Sequence, residues 1–167
     1  MSNEIRLKTL EEKDLSLIKD IYNYYIANST ATFHTGSVSE DDLNGILPIG
    51  DKRFQSFLIE YNSELAGYCY LGRYKPRAAY DRTAEVTIYL KPEYFGKGIG
   101  REVLQLLEQK ALEVGIVVLM GIITAENEAS VKLFERMGYE KCGHFKQVGE
   151  KFGRILDVVA YQKLLDQ

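Results

Sequence analysis

Apolar residues recur at helical spacing near the start of the chain, where Leu15, Ile18, Ile21, Tyr22, Tyr25 and Ile26 fall on one face of TLEEKDLSLIKDIYNYYIANS. With a Thr9–Glu12 capping box ahead of them, the spacing predicts a helix over residues 10 to 28. A second start signal, Ser39 to Asp42, opens a shorter helix through Leu43 and Leu47, closed by Pro48 and Gly50. The run FQSFLIEYNSELAGYCYLGRY reads as strands at Phe54–Tyr61 and Leu65–Tyr74 joined by a tight turn at Asn62 to Glu64. After the polar loop KPRAAYDRT, a further strand runs from Ala84 to Leu90.

That strand feeds FGKGIG, in which Gly96, Gly98 and Gly100 alternate at the head of a helix burying Val103, Leu104, Leu107, Ala111 and Leu112, with Gly115 as its C-terminal cap. The next segment, IVVLMGIITA, is nearly all apolar and predicts a strand buried on both faces. Strand, helix, strand at this spacing is a parallel βαβ unit. Asn127 then caps a helix that stops at Gly138, and strands over Glu140–Val148 and Arg154–Lys163 form a hairpin about Lys151 to Gly153. The predicted class is α/β in the mixed sense: one domain over residues 1–167, with a central, mostly antiparallel mixed sheet, helices on both faces and one parallel βαβ unit.

A tight turn needs one glycine, so three alternating ones at a helix start predict an anion cradle, in which backbone N–H groups and the helix dipole meet a phosphate. The spacing matches neither a Walker loop nor the dinucleotide fingerprint. A net charge of −3 is the wrong sign for a nucleic-acid binder, and no apolar run approaches a membrane span, so neither nucleic acid nor membrane is expected as a partner and a cytoplasmic location is. Cys69 and Cys142 are far apart and form no Cys-x-x-Cys pair, which predicts reduced thiols and no metal site.

TIYLKPEYFGKGIGREVL resembles the cofactor motif of the Gcn5-related N-acetyltransferases (GNAT), and NEASVKLFERMGYEKCG resembles the segment that follows it. IYNYYIANSTATFHT and YKPRAAYDRTAEVTIYL are similar to the phosphinothricin and methionine sulfoximine acetyltransferase branch. The resemblance implies the GNAT fold, acetyl-CoA as cosubstrate and a homodimer. It implies that the pyrophosphate sits on Gly96, Lys97, Gly98, Ile99, Gly100 and Arg101, and that pantetheine pairs with the strand edge at Ile88, Tyr89 and Leu90. Asn127 and Ser130 contact the cofactor from the next helix in that scheme. Two positions depart from the pattern: Phe95 stands where Gln or Arg is usual, and Phe134 where many members carry a tyrosine placed to protonate the leaving thiolate.

An amine attacking a thioester must first lose a proton, because it is mostly protonated in neutral water. In the resembled branch the glutamate at the position of Glu85 is the general base. The branch also implies substrate contacts from Lys75, Pro76 and Arg77, from Glu85, Val86 and Thr87, and from Phe33 at the pocket border. Among the loop cations Arg77, three residues before Tyr80, is the one selected to hold an acceptor carboxylate, whereas Arg73 and Arg82 read as ordinary surface charges. The expected function is acetylation of the primary amine of a small amino-acid-like molecule, such as phosphinothricin, methionine sulfoximine or methionine sulfone. Acetylation of protein N-termini or polyamines, and non-catalytic acyl-CoA binding, are the alternatives.

Overall fold

The structure, a computed structural model, describes residues 3–166. Seven strands form one sheet in the order β1-β2-β3-β4-β5-β7-β6: β1 (Ile5–Thr9), β2 (Ser56–Tyr61), β3 (Glu64–Arg73), β4 (Thr83–Leu90), β5 (Val118–Thr124), β6 (Glu140–Lys151) and β7 (Arg154–Leu164). Every neighbouring pair is antiparallel except β4 and β5, which are parallel. Helices α1 (Leu15–Asn28) and α2 (Glu40–Ile46) cover one face, and α3 (Ile99–Glu113) and α4 (Glu128–Arg136) the other.

Strand alternation divides the apolar residues between two cores. Phe57 and Ile59 of β2 pack with Val103, Leu104 and Leu107 of α3, while Leu58 between them joins Ile18, Ile21 and Leu43 under α1 and α2. β4 follows the same rule, sending Ala84 and Val86 toward α3 and leaving Glu85, Thr87 and Tyr89 for the α1 side. Tyr89 anchors α1 there, its ring 4.9 Å from Tyr25 and 5.5 Å from Tyr22 and Tyr68.

The second helix starts as its capping box requires, Ser39 Oγ accepting from the Asp42 N–H at 3.1 Å and Asp42 from Ser39 N at 2.9 Å. The first differs from expectation. Thr9 belongs to β1 and pairs with Phe57, so it caps nothing; Asp14 accepts from the Glu11 N–H at 2.9 Å, a 3₁₀ turn spans Glu12–Asp14, and the α-helix begins at Leu15. The turn between β2 and β3 uses Asn62 and Ser63 with φ of 52° and 68°, the left-handed pair that a two-residue hairpin needs. β6 runs three residues past the predicted Val148, because Phe152 and Gly153, with φ of 54° and 71°, close an equally tight turn.

Candidate functional site

The three glycines do separate work. Gly96 and Gly98 both have φ of 75°, and a Cβ at either would meet nothing within 4 Å, so it is the sign of φ that selects glycine. Gly98 is the N-cap of α3 and supplies no side chain to the helix, whose first N–H groups stay available to an outside acceptor. Gly100 serves packing: a Cβ there would stand 3.3 Å from Leu133 of α4. Lys97 and Arg101 flank the loop, exposed.

β4 and β5 pair only from Thr83 to Glu85 against Val118 to Met120, and then part. A groove of about 980 Å³ occupies the opening. Its walls are the free stretch of β4 from Val86 to Leu90, β5 from Gly121 to Thr124, and Asn127, Ser130 and Phe134 beside α4. This corrects the expectation that the β5 segment is buried on both faces: Ile122 is 39% exposed because its neighbour strand has turned away. Gly100 and Phe95 line the same groove, joining it to the glycine loop.

Of the predicted cofactor residues, the groove thus gathers Ile88, Tyr89, Leu90, Gly100, Asn127 and Ser130, while Gly96, Lys97, Gly98, Ile99 and Arg101 lie on the loop and first turn at its end. Asn127 Oδ1 accepts from the Ser130 N–H at 3.3 Å, so it caps α4 as well as lining the groove. The Leu90 carbonyl accepts from the Tyr25 hydroxyl at 2.5 Å, and burial pushes that phenol up to about 12. Phe134 is buried, its ring edge-on to Tyr139 and packed on Gly121, and it offers no proton.

A smaller cavity of about 500 Å³ lies on the α2 side and shares Tyr70, Glu85 and Thr87 with the groove. Its far walls are Ile46, Leu47, Pro48, Phe54 and Arg73. Across the β3–β4 ladder Glu85 faces Gly72 and Thr87 faces Tyr70, so no side chain from β3 stands directly opposite the carboxylate. Partial burial raises the Glu85 carboxyl above its ordinary range, with the Lys75 ammonium pulling weakly the other way. A carboxylate held at the junction of two cavities, with its proton affinity increased, is equipped to accept a proton from a bound group.

The predicted acceptor residues divide. Phe33, Glu85, Val86 and Thr87 line the groove, whereas Lys75, Pro76, Arg77 and Tyr80 are exposed and form part of neither cavity wall. Arg73, read from sequence as a surface charge, is the loop cation that walls the smaller cavity. It lies 4.5 Å above the Phe54 ring and 2.6 Å from Asp81. Its position as the last residue of β3, paired with Ala84 of β4, was the available signal. Nothing in the local pattern pointed to α2 or Phe54 as cavity walls.

These features agree with the relatives. The chain is 32% identical to an L-methionine sulfoximine/L-methionine sulfone acetyltransferase of Pseudomonas aeruginosa, over 92% of this chain and 90% of that one. It is 29% identical to an L-amino acid N-acyltransferase of Escherichia coli, over 96% and 94%. The structure of a phosphinothricin acetyltransferase from Sinorhizobium meliloti in complex with acetyl-CoA superposes with a TM-score of 0.84 at 28% identity, covering 98% of this chain and 89% of that one. The GNAT acetyltransferase domain model matches residues 7–160. With its strands parted beside a glycine-headed helix, and with that match over most of its length, the chain belongs to the GNAT family of acetyltransferases.

Proposed function

We propose that this protein transfers the acetyl group of acetyl-CoA to the primary amine of a small amino-acid-like acceptor of the methionine sulfoximine, methionine sulfone or phosphinothricin type. The observation that carries the reading is the meeting at Glu85 of two cavities, a groove of about 980 Å³ that runs along the unpaired edge of β4 and a smaller one of about 500 Å³. The relatives' names support the acceptor class.

Acetyl-CoA supplies the acetyl group as a thioester. In the proposed arrangement the N–H groups from Gly96 to Arg101 hold its pyrophosphate, the unpaired edge at Ile88 to Leu90 aligns its arm, and Asn127 and Ser130 bound it from α4. Glu85 takes the proton from the acceptor ammonium, directly or through a water, so that a free amine faces the thioester carbon. With Phe134 lacking a hydroxyl, the thiolate leaves without a protein acid from that position, which a thiol pKa of about 8.5 permits near neutral pH. Lys75, Pro76, Arg77 and Tyr80 remain the proposed mouth of the acceptor site, with Arg73 added as a cation on the inner wall and Phe33, Val86 and Thr87 as lining. Lys75 is near enough to act on the Glu85 charge, which supports a loop lying over that mouth.

The proposal extends to a single-domain, cytosolic homodimer. Both cysteines are free thiols, one buried and one exposed, which suits a reducing compartment. Phe145, Val148 and Ile155 are each at least half exposed on the β6–β7 hairpin, the edge of the sheet, which suits burial against a second copy.

The test is thiol release from acetyl-CoA against amino acids, their sulfoximines and sulfones, peptides and polyamines. Turnover greatest on the amino-acid sulfoximines and sulfones is expected. Preference for peptides or polyamines would replace the acceptor class, and cofactor binding without turnover on any amine would replace the enzyme with a binding module.

A further inference from the structure

The β6–β7 hairpin reaches back to the segment from Ser29 to Phe33, which follows α1 and walls the groove. At its end Lys151 is only 4% exposed. Its Nζ donates to the Ser29 carbonyl at 2.7 Å and to the Thr32 carbonyl at 2.8 Å, residues 122 and 119 positions away in sequence. A buried ammonium is costly unless its protons find acceptors, and here, among the described residues, two backbone carbonyls take two of its three N–H groups with no carboxylate in ion-pair contact. The same segment is tied at its middle: Thr124 Oγ1 donates to the Thr30 carbonyl at 2.5 Å, and the Thr30 hydroxyl to Glu126 at 2.6 Å. Arg154 in turn holds Glu126 through two bonds of 2.6 and 3.0 Å.

What these ties position is Phe33. Its ring rests on Gly149 of β6, two residues before the lysine and on the same side of the strand by alternation; a Cβ added at Gly149 would stand 2.4 Å from Phe33 Cε2 and 2.8 Å from Cζ. Ordinary carbon contacts lie at about 3.5 to 4.0 Å, so a methyl group there must displace the ring by about 1 Å or more. Phe33 is 39% exposed and lines the same groove as Glu85 and Thr87, so a ring pushed off Gly149 changes the width of that groove.

We propose that Lys151 and Gly149 are positioning residues that set the Phe33 wall and thereby limit the bulk of acceptor the site accommodates. The inference rests on the acetyl-transfer reading above. The lysine anchors the wall segment at Ser29 and at Thr32, the residue before Phe33, and the missing side chain at Gly149 sets how far the ring stands back.

The experiment compares kcat/KM for methionine sulfone and for its homologue one methylene shorter, alongside acetyl-CoA affinity by calorimetry. In Gly149→Ala the ratio shifts toward the shorter acceptor by about tenfold, the lower range of what one methylene decides in a close-fitting pocket, with cofactor affinity unchanged. Lys151→Met leaves two carbonyls without a donor and loosens the wall, so KM rises for both acceptors and their ratio falls toward one; Lys151→Arg recovers part of the discrimination. In a Phe33→Ala background, Gly149→Ala has no further effect on the ratio. A ratio unchanged within twofold in Gly149→Ala, an effect that persists without the Phe33 ring, or a loss of acetyl-CoA affinity in Gly149→Ala, which would set the ring against the cofactor and not the acceptor, overturns the proposal. If the unmutated protein acetylates neither sulfone, the acceptor reading fails and this inference falls with it.

Discussion

Replacing Glu85 with Gln separates catalysis from stability. The carboxylate is half-buried between two cavities and makes no side-chain hydrogen bond with another described residue, so the isosteric amide breaks no hydrogen bond of the fold in removing the charge. A positioned base contributes about 10²- to 10⁴-fold, so turnover with the best acceptor falls by that factor, equivalent to about 2.7 to 5.4 kcal/mol on the barrier. Stability moves the other way. Burial raises the Glu85 carboxyl, so the folded state binds its proton more tightly than the unfolded chain does; this favours folding below the unfolded pKa and is lost as pH rises through the folded one. At neutral pH the charged form is therefore a small burden on the fold. Glu85→Gln leaves Tm equal or higher, by no more than the roughly 2 to 4 °C that about 1 kcal/mol moves a chain of this size. Thiol release as a function of pH, with calorimetric unfolding of both proteins at neutral and acidic pH, measures each quantity. In the mutant, activity recovers at alkaline pH, where the acceptor amine is already free. Near-normal turnover at every pH would remove Glu85 from the mechanism, and a large loss of Tm at neutral pH would show that its charge supports the fold.

Gly98→Asp retains a folded protein, since a Cβ meets nothing within 4 Å and Asp tolerates positive φ, but it sets a carboxylate against the pyrophosphate; acetyl-CoA binding by calorimetry is lost, and retained affinity would refute the cradle. Phe95 is 52% exposed beside the same groove, so Phe95→Arg binds acetyl-CoA at least as tightly as the unmutated chain, and weaker binding would mean that the ring itself contacts the cofactor. Gly121→Ala places a Cβ 2.6 Å from the buried Phe134 ring and costs about 1 to 3 kcal/mol in chemical denaturation, a loss that Phe134→Leu reduces in the double mutant. Val148→Glu on the exposed edge shifts the proposed dimer to monomer in light scattering, and an unchanged mass would place the contact elsewhere.

Where a structural decision is made among near neighbours in the chain, it was legible in the amino-acid order. The Ser39–Asp42 box, the turn at Asn62, the left-handed Gly98 ahead of an apolar-periodic helix and the βαβ crossover all follow from side-chain reach, the sign of φ and hydrophobic period, which act over a few residues. Family resemblance added Glu85 and the cofactor residues, which spacing alone does not single out. Tertiary structure decided whatever depends on what lies opposite. The IRLKT segment becomes β1 because β2 offers it an edge some fifty residues later, and that pairing takes Thr9 away from the helix it appeared to cap. Ile122 is exposed because β4 diverges from β5, although nothing in its own apolar run distinguishes it from Ile123. Arg73 walls a cavity through its place beside Phe54 and α2, while Arg77, more prominent in the sequence, stays outside. Lys151 and Gly149 have no local signature, since a charged and an absent side chain near a hairpin tip read as solvent and turn. Only the packing of β6 on the Ser29–Phe33 segment buries one and fits an aromatic ring against the other.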